Sequence, residues 1–197
     1  MKIDPNYLSL NIFDDCHYAG NDTFKRIEEP ALNMAVSVGK EEIVKLLLNN
    51  KADPNIYTNK YLNYRNNFTD DEMEQNEYES ILCYDADSDE IIKSRYTALN
   101  IAIENGNVGM VRLLLDSEKV DINKASISDR YIPQEVKTPL FFAVENDELE
   151  IVKLLLEQKN IDINFKCNWR TKEMTAIDIA NEKGNPEIIS LLYKKAS

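Results

Sequence analysis

The chain has 197 residues, 43% of them hydrophobic and 29% charged, a composition typical of a soluble protein with a continuous core. Its 35 acidic and 23 basic side chains give a formal net charge of −12, which disfavours nucleic acid as a partner. The same charge favours a basic protein or peptide as a partner, or it serves solubility alone.

The sequence predicts neither a membrane span nor a signal peptide. Residues 1–20 contain several aspartates and no uninterrupted apolar run. Cys16, Cys83 and Cys167 are few and far apart, which favours a reducing intracellular compartment. We therefore expect the protein in the cytoplasm or a similar compartment, which would be the host-cell cytoplasm or nucleus if the chain came from a pathogen.

The first predicted element is residues 7–28, interpreted as a degenerate N-terminal cap of a repeat array. Within it, residues 16–27 resemble a helix–turn–helix core with Gly20 at the turn. Gly20 lies too close to Gly39 for a second helix of full length. A modified unit is expected at this end because one face of a terminal repeat meets water.

A unit of two short helices follows, and it recurs along the chain. In the clearest copy Thr138 is a favourable N-cap, Pro139 occupies the first helical position, and Leu140 begins an apolar face with helical spacing. A polar turn then leads to a second amphipathic run over residues 149–156. Each helix spans about two turns, too few for stability alone in water, so the units must stack. The copies begin at Pro30, Thr97, Thr138 and Thr175.

One position in the turn between the paired helices is occupied by glycine in three of the four copies. Gly39, Gly106 and Gly184 share this position, which predicts a left-handed backbone conformation there. The third copy has Asp147, which tolerates the same conformation at a higher cost.

Residues 57–95 interrupt the array between its first two copies. They either contain a hidden fifth unit or form an expanded loop, and the absence of a leucine run and a turn glycine favours the loop. A capping box at Thr69 to Glu72 predicts a short helix inside it. Residues 70–90 carry ten acidic side chains and no basic one, which predicts either an acidic arm for a basic partner or a solvated excursion.

Part of this insert resembles a calcium-binding loop. Asp85, Asp87 and Asp89 alternate as in the first half of an EF-hand loop. However, Glu90 stands where the loop needs glycine, and Tyr96 stands where it needs a bidentate glutamate. We therefore predict no metal site, and calcium binding is kept as an alternative.

Two later loops are longer than the spacing of the array requires. They span residues 124–137 and 165–174 and carry Tyr131, Trp169 and Arg170, residue types enriched at binding hot spots. Trp169 is the single tryptophan of the chain. It is predicted either to contact a partner or to pack against its neighbours.

The helix starts, turn glycines, Leu-Leu-Leu runs and closing Asp-x-Asn triplets together resemble the ankyrin repeat, which has a period of about 33 residues. The resemblance implies an all-α ankyrin-type solenoid with hairpin loops, about four clear repeats, a degenerate N-terminal cap and a long insert between repeats. The expected segments are a cap at 7–28, repeats at 29–56, 96–136 and 137–173, a C-terminal capping repeat at 174–197, and the acidic insert at 57–95.

The sequence departs from the family pattern at the fourth position of the motif, where histidine is usual. Asn33, Asn100 and Asp178 can still form hydrogen bonds near the helix start, but Phe141 cannot. The hydrogen bonding at the start of the third repeat is therefore in doubt.

The resemblance also implies a concave groove that binds another protein. Its positions are the residue before each helix start and the two residues before each turn. In the last three repeats these are Tyr96, Glu104, Asn105, Lys137, Glu145, Asn146, Met174, Glu182 and Lys183, and in the first they are Glu29, Ser37 and Val38. The acidic middle of this set favours a basic partner or one of mixed polarity.

We therefore predict a non-catalytic protein–protein interaction module that needs no cofactor and is monomeric on its own. His17 is the only histidine, and the sequence has no phosphate-binding glycine loop, Cys-x-x-Cys pair or metal-ligand spacing, so an enzyme is not expected. The alternatives are a calcium-responsive binding module acting through the insert and an accessory domain of a modifying enzyme.

Overall fold

The computed structural model describes residues 6, 16–18, 21–64, 90–128, 135–169 and 172–196. Within these ranges eight helices form four consecutive pairs, and eight strands form one sheet. The helices are α1 Ala31–Ser37, α2 Glu41–Asn49, α3 Ala98–Glu104, α4 Val108–Leu115, α5 Pro139–Glu145, α6 Leu149–Glu157, α7 Ala176–Lys183 and α8 Pro186–Ala196. The strands are β1 Cys16–Tyr18, β2 Asn21–Glu28, β3 Thr58–Tyr64, β4 Glu90–Tyr96, β5 Ser126–Ser128, β6 Glu135–Lys137, β7 Cys167–Trp169 and β8 Lys172–Met174.

Threonine N-caps begin three of the four first helices. Thr97 Oγ1 accepts the backbone N–H of Asn100 at 3.4 Å, and Asn100 Oδ1 accepts the backbone N–H of Thr97 at 3.2 Å. Thr175 and Asp178 form the same capping box. The hydrogen bonds from the hydroxyl and backbone N–H of Thr175 hold the pKa of Asp178 below its usual value. The predicted N-cap at Thr138 is confirmed, because its side chain accepts the backbone N–H of Phe141. The caps at Thr97 and Thr175 are reinforced from the fourth motif position.

In the third helix pair, the acceptor for the backbone N–H of the N-cap residue comes from the sheet. Phe141 cannot accept the N–H of Thr138, and its ring is fully buried instead. The N–H of Thr138 donates to Cys167 Sγ at 3.4 Å, and Thr138 Oγ1 lies 3.8 Å from the same sulfur. A cysteine of β7 therefore replaces the side chain that the second and fourth repeats supply from within the helix.

The turns inside the helix pairs adopt the predicted left-handed conformation. The φ angles of Gly39, Gly106 and Gly184 are 70°, 60° and 79°, and that of Asp147 is 61°. Asp147 Oδ1 also accepts a hydrogen bond from Asn185 Nδ2 at 2.6 Å. This bond connects the third turn to the fourth pair, so the aspartate contributes a contact that glycine could not make.

The helix pairs stack in two layers. The first helices of successive pairs contact one another, and the second helices do the same. The interior of the stack is apolar: Leu99 and Ile103 of α3 and Met110 and Leu114 of α4 are at most 1% exposed. Strands β4 and β8 contact the first helices that follow them, so the sheet continues along the stack beside the first-helix layer.

The loops between the helix pairs, together with the two strands before α1, form a single antiparallel sheet in the order β1 to β8. The hairpins β3–β4, β5–β6 and β7–β8 join to one another through the pairs β4–β5 and β6–β7. The all-α prediction is therefore corrected, because the helical repeat fold includes a sheet. Extended loops that lie side by side satisfy their backbone N–H and C=O groups by pairing.

The helix–turn–helix predicted over residues 16–27 is wrong for the residues that the structure describes. Cys16–Tyr18 and Asn21–Glu28 are paired strands, and β2 pairs with β3 from Thr23 opposite Tyr64 to Glu28 opposite Asn59. The β-branched and aromatic residues of β2 suit a strand. Gly20 lies outside the described residues, so its predicted turn is not observed.

The insert begins and ends as a hairpin. Residues 58–64 and 90–96 pair as β3 and β4, so the insert extends the hairpin between the first two helix pairs. Three predicted features lie outside the described residues: the helix after Thr69, the acidic run up to residue 89, and the alternating aspartates that resemble a calcium-binding loop.

A ladder of Asp-x-Asn triplets connects the second-helix ends. Asn55 Oδ1 accepts the N–H of Asp121 at 2.8 Å, and Asn55 Nδ2 donates to Lys119 O at 2.8 Å. Asn123 repeats both bonds one step along, to Asp162 N and Asn160 O. The backbone polar groups of these exposed turns are thus satisfied by the neighbouring repeat, which fixes the spacing of the stack.

Replacing Cys167 tests the capping role of its sulfur. Cys167→Ala leaves the buried N–H of Thr138 without that acceptor and opens a small cavity, so we expect a loss of about 1–3 kcal/mol in the free energy of unfolding. Cys167→Ser retains an acceptor of similar size and should lose clearly less. Urea unfolding of the two variants makes the comparison, and equal losses would show that the sulfur acts only as packing.

Candidate functional site

The predicted groove positions lie at two places in each repeat, at the end of the strand before the N-cap and at the end of the first helix. We call this set the groove strip; its described members are Glu29, Ser37, Val38, Tyr96, Glu104, Asn105, Lys137, Glu145, Asn146, Met174, Glu182 and Lys183. Tyr96, Lys137 and Met174 end β4, β6 and β8, and each is half-buried. Each is followed directly by a threonine N-cap, so the capping geometry fixes the position of the groove strip relative to the helices.

The third repeat brings four side chains of this region into one cluster. Lys137 Nζ lies 2.9 Å from Glu135 Oε2 and 3.0 Å from Glu145 Oε2. Trp169 Nε1 donates to Glu145 Oε1 at 2.7 Å. The side chains of Lys137, Glu135 and Glu145 are 12%, 6% and 18% exposed, so the charges are largely removed from water. We refer to Lys137, Glu135, Glu145 and Trp169 as the ion cluster.

Lys137 keeps its positive charge at neutral pH within the ion cluster. Burial alone would lower the pKa of Lys137, but the hydrogen bonds and attraction of Glu135 and Glu145 outweigh it and raise that pKa. A raised lysine pKa means that the stabilisation is complete below the usual value and is lost only as alkaline pH passes the raised value. The ammonium also lies 5.8 Å from the centre of the Phe142 ring, a favourable cation–π distance.

The single tryptophan, Trp169, packs against its neighbours in the structure. Trp169 is 8% exposed and donates its indole N–H inside the ion cluster. Its position agrees with the hypothesis that it packs against its neighbours. The other loop residues predicted to bind a partner, Tyr131 and Arg170, lie outside the described residues.

The second and fourth repeats present the equivalent positions to solvent. Glu104 and Glu182 align with Glu145 but are exposed, as are the residues that follow them, Asn105 and Lys183. Asn146 of the third repeat is exposed as well. Asn105 Nδ2 donates to Ser37 O at 3.5 Å, which ties the second repeat to the first along the groove strip. Val38 is an exposed apolar residue of the groove strip, with 59% of its surface accessible.

Glu135 belongs to the ion cluster, although it is not among the motif positions. It precedes Lys137 by two residues on β6, and side chains two apart on a strand share a face. The sequence shows Glu135 and Lys137 at this spacing, with Glu145 at the end of the next helix. This arrangement becomes recognisable only once β6 is known to be a strand.

Among the residues that the structure describes, no group of three or more histidine, cysteine or carboxylate side chains is placed to hold a metal ion. Cys167 is buried, and burial raises the pKa of its thiol despite the hydrogen bonds from Thr138, so the sulfur is protonated at neutral pH. In the described part of the chain, no helix is long and apolar enough to cross a membrane.

Comparison with known families identifies the fold. A profile described as ankyrin repeats in three copies matches residues 74–167 and 128–197, and a single ankyrin repeat profile matches residues 29–59. Because the matches cover most of the chain, the protein belongs to the ankyrin repeat family. Ankyrin repeats are in general protein–protein interaction modules and are typically non-catalytic. No curated protein matches the chain significantly.

Glu145 and Glu104 provide a matched test of the ion cluster. Glu145→Ala leaves Lys137 with one carboxylate and removes the acceptor of Trp169, so we expect a loss of about 2–4 kcal/mol in the free energy of unfolding. Glu104→Ala removes the aligned but exposed glutamate and should change stability by less than about 0.5 kcal/mol. Urea unfolding followed by Trp169 fluorescence measures both, and equal effects would contradict the buried cluster.

Proposed function

We propose that the protein is a non-catalytic binding module whose groove strip recognises a segment of another protein. The observation that carries this proposal is the contrast among three aligned glutamates. Glu145 is paired with Lys137 inside the ion cluster, whereas Glu104 and Glu182 are exposed on either side of it. The ion cluster provides a rigid centre, and the exposed carboxylates provide charges that a partner can use.

The partner we propose is a basic peptide or protein segment of mixed polarity. Exposed carboxylates paired across an interface contribute chiefly to association rate and orientation, and the net charge of −12 acts in the same direction. Val38 supplies an exposed apolar contact at the first repeat, next to Asn105 of the second. A segment that places an apolar side chain on Val38 and a basic one on Glu104 matches both features.

A reducing compartment is part of the proposal. Cys167 is a free thiol buried beside Thr138, where its hydrogen bond caps α5. Oxidation would add polar oxygen atoms at a position without room for them, so the fold is best preserved where thiols stay reduced.

Reversing one charge of the groove strip tests the binding surface. Partners captured from the native cells with the wild-type chain are retested with Glu104→Lys, which should weaken binding about tenfold or more by placing like charges together. The matched control is Glu157→Lys, an exposed glutamate at the end of the second helix α6. It makes the same change in net charge away from the groove strip.

The two variants separate a local effect from a general one. Binding lost with Glu104→Lys and kept with Glu157→Lys supports the groove strip. Equal weakening by both would reduce the effect to overall charge, and no weakening by Glu104→Lys would place the binding surface elsewhere. Circular dichroism should show unchanged helix content in both variants because both positions are exposed.

A further inference from the structure

A buried asparagine of the first helix, Asn33, connects α1 to the base of the inserted hairpin. Its side chain is 0% exposed. Its Nδ2 donates to Ile56 O and to Thr58 Oγ1, each at 3.0 Å, and to Tyr96 O at 3.4 Å. Thr58 begins β3, Tyr96 ends β4, and the two residues pair across the hairpin. One amino group therefore reaches both strands at the point where the hairpin leaves the stack.

The aligned residues of the second and fourth repeats use their side chains differently. Asn100 and Asp178 present an oxygen atom to the threonine N-cap of their own helix. The first repeat has Pro30 at the N-cap, and a proline has neither a backbone N–H nor a hydroxyl group. Asn33 therefore has no capping bond to make, and its amino group binds the hairpin instead.

The unpartnered atoms of the two asparagines agree with this division of roles. Among the described residues, Asn33 Oδ1 and Asn100 Nδ2 are both buried without a hydrogen-bond partner. The orientation of the Asn33 amide follows from chemistry, because the opposite orientation would point an oxygen atom at two carbonyl oxygens. Asn33 thus depends on its amino group and Asn100 on its carbonyl group, although both are fully buried at the same motif position.

In the next hairpin, the corresponding bond lies within the hairpin itself. Ser126 and Lys137 correspond to Thr58 and Tyr96, and they also pair across their hairpin. The Ser126 hydroxyl donates to Lys137 O at 3.1 Å. In the first hairpin, the equivalent carbonyl oxygen of Tyr96 accepts from Asn33. A residue of α1 thus holds the end of the strand that leads into the second repeat.

We propose that Asn33 is a positioning residue for partner binding, because it sets the place of the inserted hairpin and thereby of Tyr96 in the groove strip. This inference rests on the proposed function, in which the groove strip is the binding surface. Asn33 is buried and cannot touch a partner itself. Tyr96 is half-buried and directly precedes the N-cap Thr97, so a displaced β4 moves a groove residue.

Hydrogen exchange of the full chain, measured by mass spectrometry at pH 7, tests the positioning of the hairpin. Asn33→Asp keeps the size of the side chain but replaces two N–H donors by an oxygen that carries at most one hydrogen, so Ile56 O or Tyr96 O loses its donor. We expect the amides of residues 57–59 and 94–96 to exchange about tenfold faster or more, while those of α5 and α6 keep their rates. Asn33→Leu removes the donors without adding a charge, and it takes the place of Asn33→Asp if that variant does not fold.

Asn100→Asp is the matched control. An aspartate at this position retains the two bonds with Thr97 that Asp178 makes with Thr175. It should therefore leave exchange at the hairpin base unchanged. Unchanged exchange in Asn33→Asp, or an equal increase in both variants, would overturn the proposal.

Binding measurements separate positioning from a general loss of stability. The partner captured from the native cells is titrated against the wild-type chain, Asn33→Asp, Tyr96→Ala and the double variant. We expect Asn33→Asp to weaken binding about tenfold in the wild-type background and less than about twofold in the Tyr96→Ala background, because both changes act through one contact. Asn33→His keeps a ring N–H, and it should restore both the exchange rates and the affinity.

Equal losses of affinity in the two backgrounds would overturn the proposal, as would a failure of Asn33→His to restore binding. Failure of the proposed function has a different signature. Binding that is insensitive to both Glu104→Lys and Tyr96→Ala would overturn the groove strip, and the binding part of this inference with it. The exchange difference between Asn33→Asp and Asn100→Asp would remain in that case.

Discussion

Short helices that cannot stand alone are the constraint on which this structure depends. The helices of the first three pairs have seven to nine residues, and a helix of that length is marginal in water. Their stability comes from burying apolar faces against the neighbouring pairs, so each pair depends on the next. The capping bonds, the left-handed turns and the Asp-x-Asn ladder serve this stacking, because they satisfy backbone groups without using the apolar surfaces.

The sequence was sufficient to predict the parts of the fold that local chemistry decides. The threonine caps, the proline at the start of α5 and the left-handed Asp147 follow from residue types at fixed positions. The continuous sheet could not be predicted in this way. Strands of three residues are too short to show a period, and the pairing of β2 with β3 joins residues far apart in the chain. The role of Cys167 could not be predicted for the same reason, because its sulfur accepts the N–H of Thr138, which is distant in sequence.

In the candidate site, aligned residues differ in burial and pairing because their neighbours differ. Glu104, Glu145 and Glu182 share one motif position, but only Glu145 has a lysine and a tryptophan beside it. The shared motif position therefore does not decide the environment, because Glu145 is largely buried in the ion cluster while Glu104 and Glu182 are exposed. Trp169 illustrates the same point, since its residue type suggested a binding hot spot and its environment makes it part of the scaffold.

Hydrogen exchange along the stack, measured by mass spectrometry on a dilute sample, tests the dependence on stacking most directly. Each inner pair packs against neighbours on both sides, whereas α1–α2 has a neighbour on one side only among the described residues. We therefore expect the amides of α3 to α6 to exchange more slowly than those of α1 and α2, because opening an inner pair breaks two interfaces. Equal or greater protection of α1 and α2 would contradict the account, since it would mean that a helix pair is stable without neighbours on both sides.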